Sequence, residues 1–379
     1  MNRANCSSGR TSAWTRRSAQ RIAVLTAGAL SAFFLMAVDA SASTVGERRL
    51  SATQPTAPLR DAASSDQLRV TVWYPAVAGA QEQPLEIGAP GRPLFLSGSA
   101  APDAAFDASL KRPVILLSHG FGGSARMMGW FGTALAREGY VVIAPDHPGN
   151  NAIDAMTIAG GALFWERPGD LAVALERVMA DVELGPGLDR SRLGVAGFSA
   201  GGFTSLAAAG GRVDLARLTA FCAAHPADGV CAPQQEGDFD SAKAAVFLAG
   251  EAAAAGVASS GRDLTITGVR AAFAIAPALV QGFDPASLER IDVPVGLVFG
   301  RGDTTAPPAS NSEVAASLVP GAEARGLDGV NHYDFLAECA PQGMDVLPLC
   351  RTGVPRSVTH AEVVAMAVRL FDGALGERR

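Results

Sequence analysis

The sequence predicts an α/β protein built on a mainly parallel, doubly wound sheet. Three observations carry this. From Pro113 onward, short apolar runs alternate with segments of helical period. The apolar run at 113–118 is continuous rather than alternating, which is the pattern of a strand buried on both faces, and 192–196 reads as a second strand of the series. Each is followed within a few residues by Gly and then a helical pattern, the mark of strand–turn–helix units with crossover connections.

Taken in order, 48–52 is a short first strand, and the alternating, β-branched Leu68–Tyr74 is a second. Residues 75–112 are rich in Pro, Gly and Ala and read as a long surface excursion. Strands follow at Pro113–Ser118, Tyr140–Ala144, Arg192–Ala196, Val269–Ile275 and Val293–Phe299. Helices are expected at Ala125–Glu138, Asp170–Asp181, Ala200–Ala209, Ser310–Leu318 and Thr359–Phe371. In the second of these, apolar residues at 171, 174, 175 and 178 form one face. The Ala-rich stretch 211–268 interrupts the alternation and reads as a cap inserted between core elements. There is no internal repeat and no heptad pattern.

At 379 residues, with 48% hydrophobic and 18% charged, the chain has ample material for a core. Arg3, Arg10, Arg16, Arg17 and Arg21 against Asp39 give the first 42 residues a net charge of +4, which leaves −10 for the rest. An acidic body argues against nucleic acid and anionic membrane surfaces as partners. The basic start, the apolar run Ile22–Val38 and the small residues Ala40-Ser41-Ala42 together read as an export signal, residues 1–42, with 43–379 as the mature domain. Stable membrane insertion is not expected once it is cleaved. Removal of the segment takes Cys6 with it and leaves Cys222, Cys231, Cys339 and Cys350. An even count in an oxidising compartment implies two disulfides, and the local pairs 222–231 and 339–350 are the simplest of three connectivities. No Cys/His spacing indicates a metal, and no cofactor is expected.

The chemistry concentrates at Gly197-Phe198-Ser199-Ala200-Gly201. An apolar strand ends just before it and a helix begins just after, which is the setting of a nucleophile elbow. A Ser hydroxyl needs a base. Of five His, His332 lies in a loop between a short strand and the last helix, where a general base can reach the strand ends. His147 also ends a strand and competes for the role. His119 reads as a turn residue, His225 falls in the inserted stretch and His360 in the last helix. Asp303, at the exit of the Val298–Gly302 strand and turn, is the expected carboxylate partner; Asp328 and Asp334 are too local to His332 to reach its far nitrogen. The order Ser199, Asp303, His332 is that of the α/β-hydrolases. Two N–H donors are expected for an oxyanion, Ala200 and Phe121, the latter from the Gly-containing loop 118–123.

With His119-Gly120-Phe121-Gly122-Gly123, the Gly-x-Ser-x-Gly pentapeptide, Asp303, His332 and Val72-Trp73-Tyr74-Pro75, the chain resembles the dienelactone-hydrolase-like α/β-hydrolases and the platelet-activating-factor acetylhydrolases over roughly 46–372. The resemblance implies an α/β-hydrolase fold and a serine esterase for small or short-acyl esters. It departs in the nucleophile: authentic dienelactone hydrolases use Cys, and this chain has Ser199. A secreted amidase, thioesterase or polyester hydrolase would use the same triad, and a non-catalytic binding protein is the reading from another class. Acyl preference and oligomeric state are not written in the sequence.

Overall fold

The structure is a computed structural model that describes residues 43–376, apart from 235, 238 and 240. The export segment expected over 1–42 lies outside the described residues.

Among the described residues, eleven strands form one sheet: β1 (Val45–Thr53), β2 (Gln67–Pro75), β3 (Gln83–Ala89), β4 (Arg92–Pro102), β5 (Arg112–Ser118), β6 (Val141–Pro145), β7 (Leu188–Phe198), β8 (Val269–Ile275), β9 (Val295–Gly300), β10 (Glu323–Leu327) and β11 (Glu338–Cys339). Their order is β10-β9-β8-β7-β5-β6-β2-β1-β4-β11, with β3 on β4. The six strands from β6 to β10 run parallel, and β2 and β1 continue the sheet antiparallel. This is the α/β-hydrolase arrangement.

The central strands show why their apolar runs are continuous. Val114 and Leu116 of β5 pack on one face, with Leu171 and Leu175 of the helix Arg167–Met179 and Phe203 of the helix Ala200–Ala208. Ile115 and Leu117 point to the other face, with Phe131 of the helix Gly129–Arg137 and Phe371 of the helix Arg356–Leu375. All four β5 side chains are fully buried, so both faces must be apolar.

One expectation fails. The supposed surface excursion 75–112 contains the β3–β4 hairpin. Strand β4 joins the sheet through β1 and β11, and Gly129 of the following helix sits against Ser97. Gly, Pro and Ala weaken local strand propensity, and here the pairing with distant strands overrides it.

The inserted stretch carries the helices Leu215–Ala224, Ser241–Leu248 and Ala254–Ala258, none of which has a fully buried residue. Its ends belong to the core: Val213 bridges to Phe283, and Leu264 and Ile266 are buried. Among the described residues no single helix is long and apolar enough to cross a membrane.

Candidate active site

Every candidate side chain sits at or just beyond the carboxyl end of a parallel strand, where such sheets open a crevice. Strand β7 delivers Ser199. Its backbone is held at φ 57°, ψ −118°, a strained conformation for a residue with a side chain. The flanking glycines make that turn possible. A Cβ on Gly201 would lie 2.0 Å from the Ser118 carbonyl oxygen, and one on Gly197 would lie 2.0 Å from the carbonyl oxygen of Gly201. The strain is tied down by Ser199 N–H donating to Ile275 O at 2.8 Å and Ala278 N–H donating to Ser199 O at 3.1 Å.

His332 opens a short helical turn, His332–Phe335, whose cap is made by Asn331 and Asp334. Its Nε2 lies 2.9 Å from Ser199 Oγ, and its Nδ1 lies 2.6 Å from Asp303 Oδ2. The other Asp303 oxygen accepts from the N–H groups of Thr305 and Ala306 at 2.9 and 2.8 Å. That leaves the carboxylate fixed on both sides. The three residues are buried, at 6%, 3% and 4% exposed for Ser199, His332 and Asp303. Asp328 instead pairs with Arg301 at the surface, and Asp334 accepts from the Asn331 N–H within its own turn.

Phe121 and Ala200 border one cavity together with Ser199. Among the described residues, their backbone N–H groups make no backbone hydrogen bond that would turn them away from a ligand. Gly122 beside them is left-handed, at φ 59°. The cavity holds about 340 Å³. Its walls are mostly apolar, with Leu215, Leu218 and Leu248 from the inserted stretch and Phe164 from the core. Glu236 also borders it and accepts from Tyr333 Oη–H at 2.9 Å. Burial and this carboxylate raise the Tyr333 phenol well above its ordinary pKa.

The competing base lies elsewhere. His147 Nε2 faces Ser118 Oγ at 2.8 Å, and its Nδ1 faces Asp170 Oδ2 at 2.9 Å. His119 lies in the loop after β5, as expected, and its Nε2 accepts the His147 N–H at 3.1 Å. His225 lies tilted against Phe221 in the inserted stretch, and His360 stacks on Trp130. None of these four reaches Ser199.

Behind the 118–123 loop lies a polar cluster that sequence reasoning did not find. Arg60 grips Asp170 with two nitrogens at 2.7 and 2.8 Å, and Gln54 adds a third bond at 2.7 Å. Arg167 reaches the carbonyls of His119 and Gly120 and the Asn150 side chain. Nothing in the sequence signals it: the helix is expected from Asp170, and only the structure puts Arg167 at its first position, where a cation opposes the helix dipole.

The sheet order and its crossovers define the fold class: the α/β-hydrolase fold. Within that class, the profile of the dienelactone hydrolase family matches residues 100–272, and the chain resembles that family. The match takes in Ser199 and the loop at 118–123 and ends before Asp303 and His332. A solved ferulic acid esterase from Streptomyces cinnamoneus has a similar fold, with a TM-score of 0.57 at 22% identity, over 90% of this chain and 93% of that one. No curated protein matches the chain.

Proposed function

We propose that the protein is a serine carboxylic-ester hydrolase that works through an acyl-enzyme on Ser199. The observation that carries this is the continuous hydrogen-bonded line Ser199–His332–Asp303, with its serine opening into an apolar cavity. His332 Nε2 takes the Ser199 proton as Oγ attacks the ester carbonyl. Asp303 keeps Nδ1 protonated and stabilises the imidazolium that forms. The developing oxyanion is received by the N–H groups of Phe121 and Ala200, the latter at the start of a helix whose dipole favours negative charge. His332 then protonates the leaving alcohol. Water, activated by the same imidazole, releases the acid and regenerates Ser199.

The cavity is at the small end of ligand sites, which supports small or short-acyl esters as substrates. Two disulfides, Cys222–Cys231 and Cys339–Cys350, support export to an oxidising compartment. Labelling of purified protein with a fluorophosphonate, followed by p-nitrophenyl esters of increasing acyl length, tests the reading. Labelling at Ser199 with turnover of the short esters is expected. An unlabelled, inert protein would make it a binding protein on this fold, and turnover of amides or thioesters in preference to esters would move it to those hydrolases.

A further inference from the structure

Arg167 is the first residue of its helix and is 2% exposed. Its hydrogen bonds all go to neutral oxygens. Nη1 donates to His119 O at 2.7 Å, and Nη2 donates to Gly120 O at 3.3 Å and to Asn150 Oδ1 at 2.6 Å. Asp170, the nearby carboxylate, is instead gripped by Arg60, His147 and Gln54. A buried charge without a carboxylate bonded to it is costly, and the fold keeps it against one short loop. Burial lowers the Arg167 pKa to about 9, which still leaves it charged at neutral pH.

The position of one acceptor matters most. The carbonyl of Gly120 and the N–H of Phe121 belong to the same planar peptide unit. His119 Nδ1 lies 2.7 Å from that carbonyl oxygen and the Gly123 N–H donates to it at 3.2 Å, so the oxygen faces three nitrogens, of which Arg167 supplies the cationic one. A cation on the C=O end of a peptide draws charge toward itself and leaves the N–H end more positive, and hydrogen bonds in series strengthen one another in this way. Asn150 Oδ1, held by Arg167, accepts from the Gly122 N–H at 3.1 Å, so the same guanidinium also fixes the far side of Phe121.

We propose that Arg167 is a positioning residue for the hydrolytic reaction: it orients and polarises the Gly120–Phe121 peptide so that the Phe121 N–H is a stronger, fixed oxyanion donor. This rests on the hydrolase reading above for its kinetic consequences, though not for the peptide geometry. Arg167 touches no substrate. Its effect belongs in the transition state, where negative charge develops, and little of it in the ground-state complex.

The test uses the full chain with 15N-labelled phenylalanine, in wild type, Arg167→Met and Arg167→Lys. The Phe121 amide proton is expected to move upfield in Arg167→Met and by an intermediate amount in Arg167→Lys, while the Phe131 and Phe371 amides stay in place. Per fluorophosphonate-titratable site, kcat on a short p-nitrophenyl ester is expected to fall roughly tenfold to a hundredfold in Arg167→Met, less than or equal to the loss of a whole oxyanion donor. KM should hold within about twofold, the signature of an interaction made in the transition state. A boronic acid that forms a tetrahedral anion on Ser199 should lose affinity in parallel with kcat. An unmoved Phe121 resonance, or full kcat per site in a variant that has merely lost thermal stability, overturns the proposal. If Arg167→Met does not fold, Arg167→Lys decides by the same two readouts. A wild type that turns over no ester sinks the hydrolase reading alone, and the Phe121 resonance still decides this one.

Discussion

His147 lies between Ser118 and Asp170 in the same relation that His332 bears to Ser199 and Asp303. Among the described residues there are therefore two Ser–His–Asp relays, with their serines at the neighbouring ends of β5 and β7. Only the second borders the cavity. Ser118, His147 and Asp170 are 0%, 1% and 0% exposed, so no substrate reaches them.

The two relays are therefore expected to respond differently to mutation. Ser199→Ala and His332→Ala should each reduce ester hydrolysis by on the order of 10⁴ or more with the fold intact, because members of a triad act as a unit. His147→Ala should keep turnover per folded molecule and lose thermal stability. Steady-state kinetics beside a melting curve would show which relay is which, and an active His332→Ala with an inert His147→Ala would reverse the assignment.

Acid should unfold the protein through its buried histidines. Desolvation, with the charge of Arg167 behind it, holds His147 down to about 4 against a usual 6.5, since Asp170 is already shared with Arg60. Burial holds His360 to about 4 as well, and pushes His119 well below its ordinary value. Folded pKa values below the unfolded ones mean that the unfolded state binds more protons between about pH 6.5 and 4. Stability is then complete above 6.5 and declines as pH falls through that window. For His147 and His360 the loss is on the order of 3 kcal/mol each by pH 4. Melting temperature measured from pH 7 to pH 4 checks this, and a flat profile would contradict it.

The disulfides should be the local pairs. Mass mapping without reductant is expected to find Cys222–Cys231 and Cys339–Cys350, and crossed pairs or free thiols would refute the pairing. Each closes a short loop, and losing one should cost about 2–3 kcal/mol. Cys339 Sγ also takes a hydrogen bond from Arg356, which in turn binds Ala337 O a few residues beyond His332. Reduction of that pair should therefore lower activity more than reduction of the other.

Acyl preference should follow the inserted stretch, through those of its apolar residues that line the cavity. Phe221, Val246, Phe247 and Leu248 are among the large apolar side chains of that stretch. Of these four, only Leu248 borders the cavity: Val246 is 77% exposed, Phe247 packs on the core, and the Phe221 ring lies tilted against His225. Leu218→Ala and Leu248→Ala are expected to shift the ratio of rates on short and longer acyl esters by about tenfold, since a methylene in an apolar pocket is worth roughly 1–3 kcal/mol. A profile scaled down equally at every chain length would leave selection to the core loops.

Much of this was legible because it is local. The sharp turn at Ser199 requires small residues at 197 and 201, and a strand before a helix, so the pentapeptide and its neighbours announce the elbow within a dozen residues. The same holds for Asp303, which leaves its strand through a glycine turn, and for the cysteine pairs nine and eleven residues apart. Strand β4 was not legible, because its Gly- and Ala-containing run becomes a strand through its hairpin with β3 and its pairing with the distant β1 and β11.

The sequence by itself determined the α/β architecture, the order of Ser199, Asp303 and His332, and the loop that presents Phe121. These depend on hydrophobic period, turn chemistry and chain order, which short segments carry. Tertiary structure alone decided which inserted side chains line the cavity, and that Arg60, Asp170 and Arg167 converge behind the loop. Side-chain direction and burial depend on partners more than a hundred residues away, as with Arg60 and Asp170, at 110 residues. No local pattern encodes such a meeting; it exists only once the sheet has brought its strand ends together.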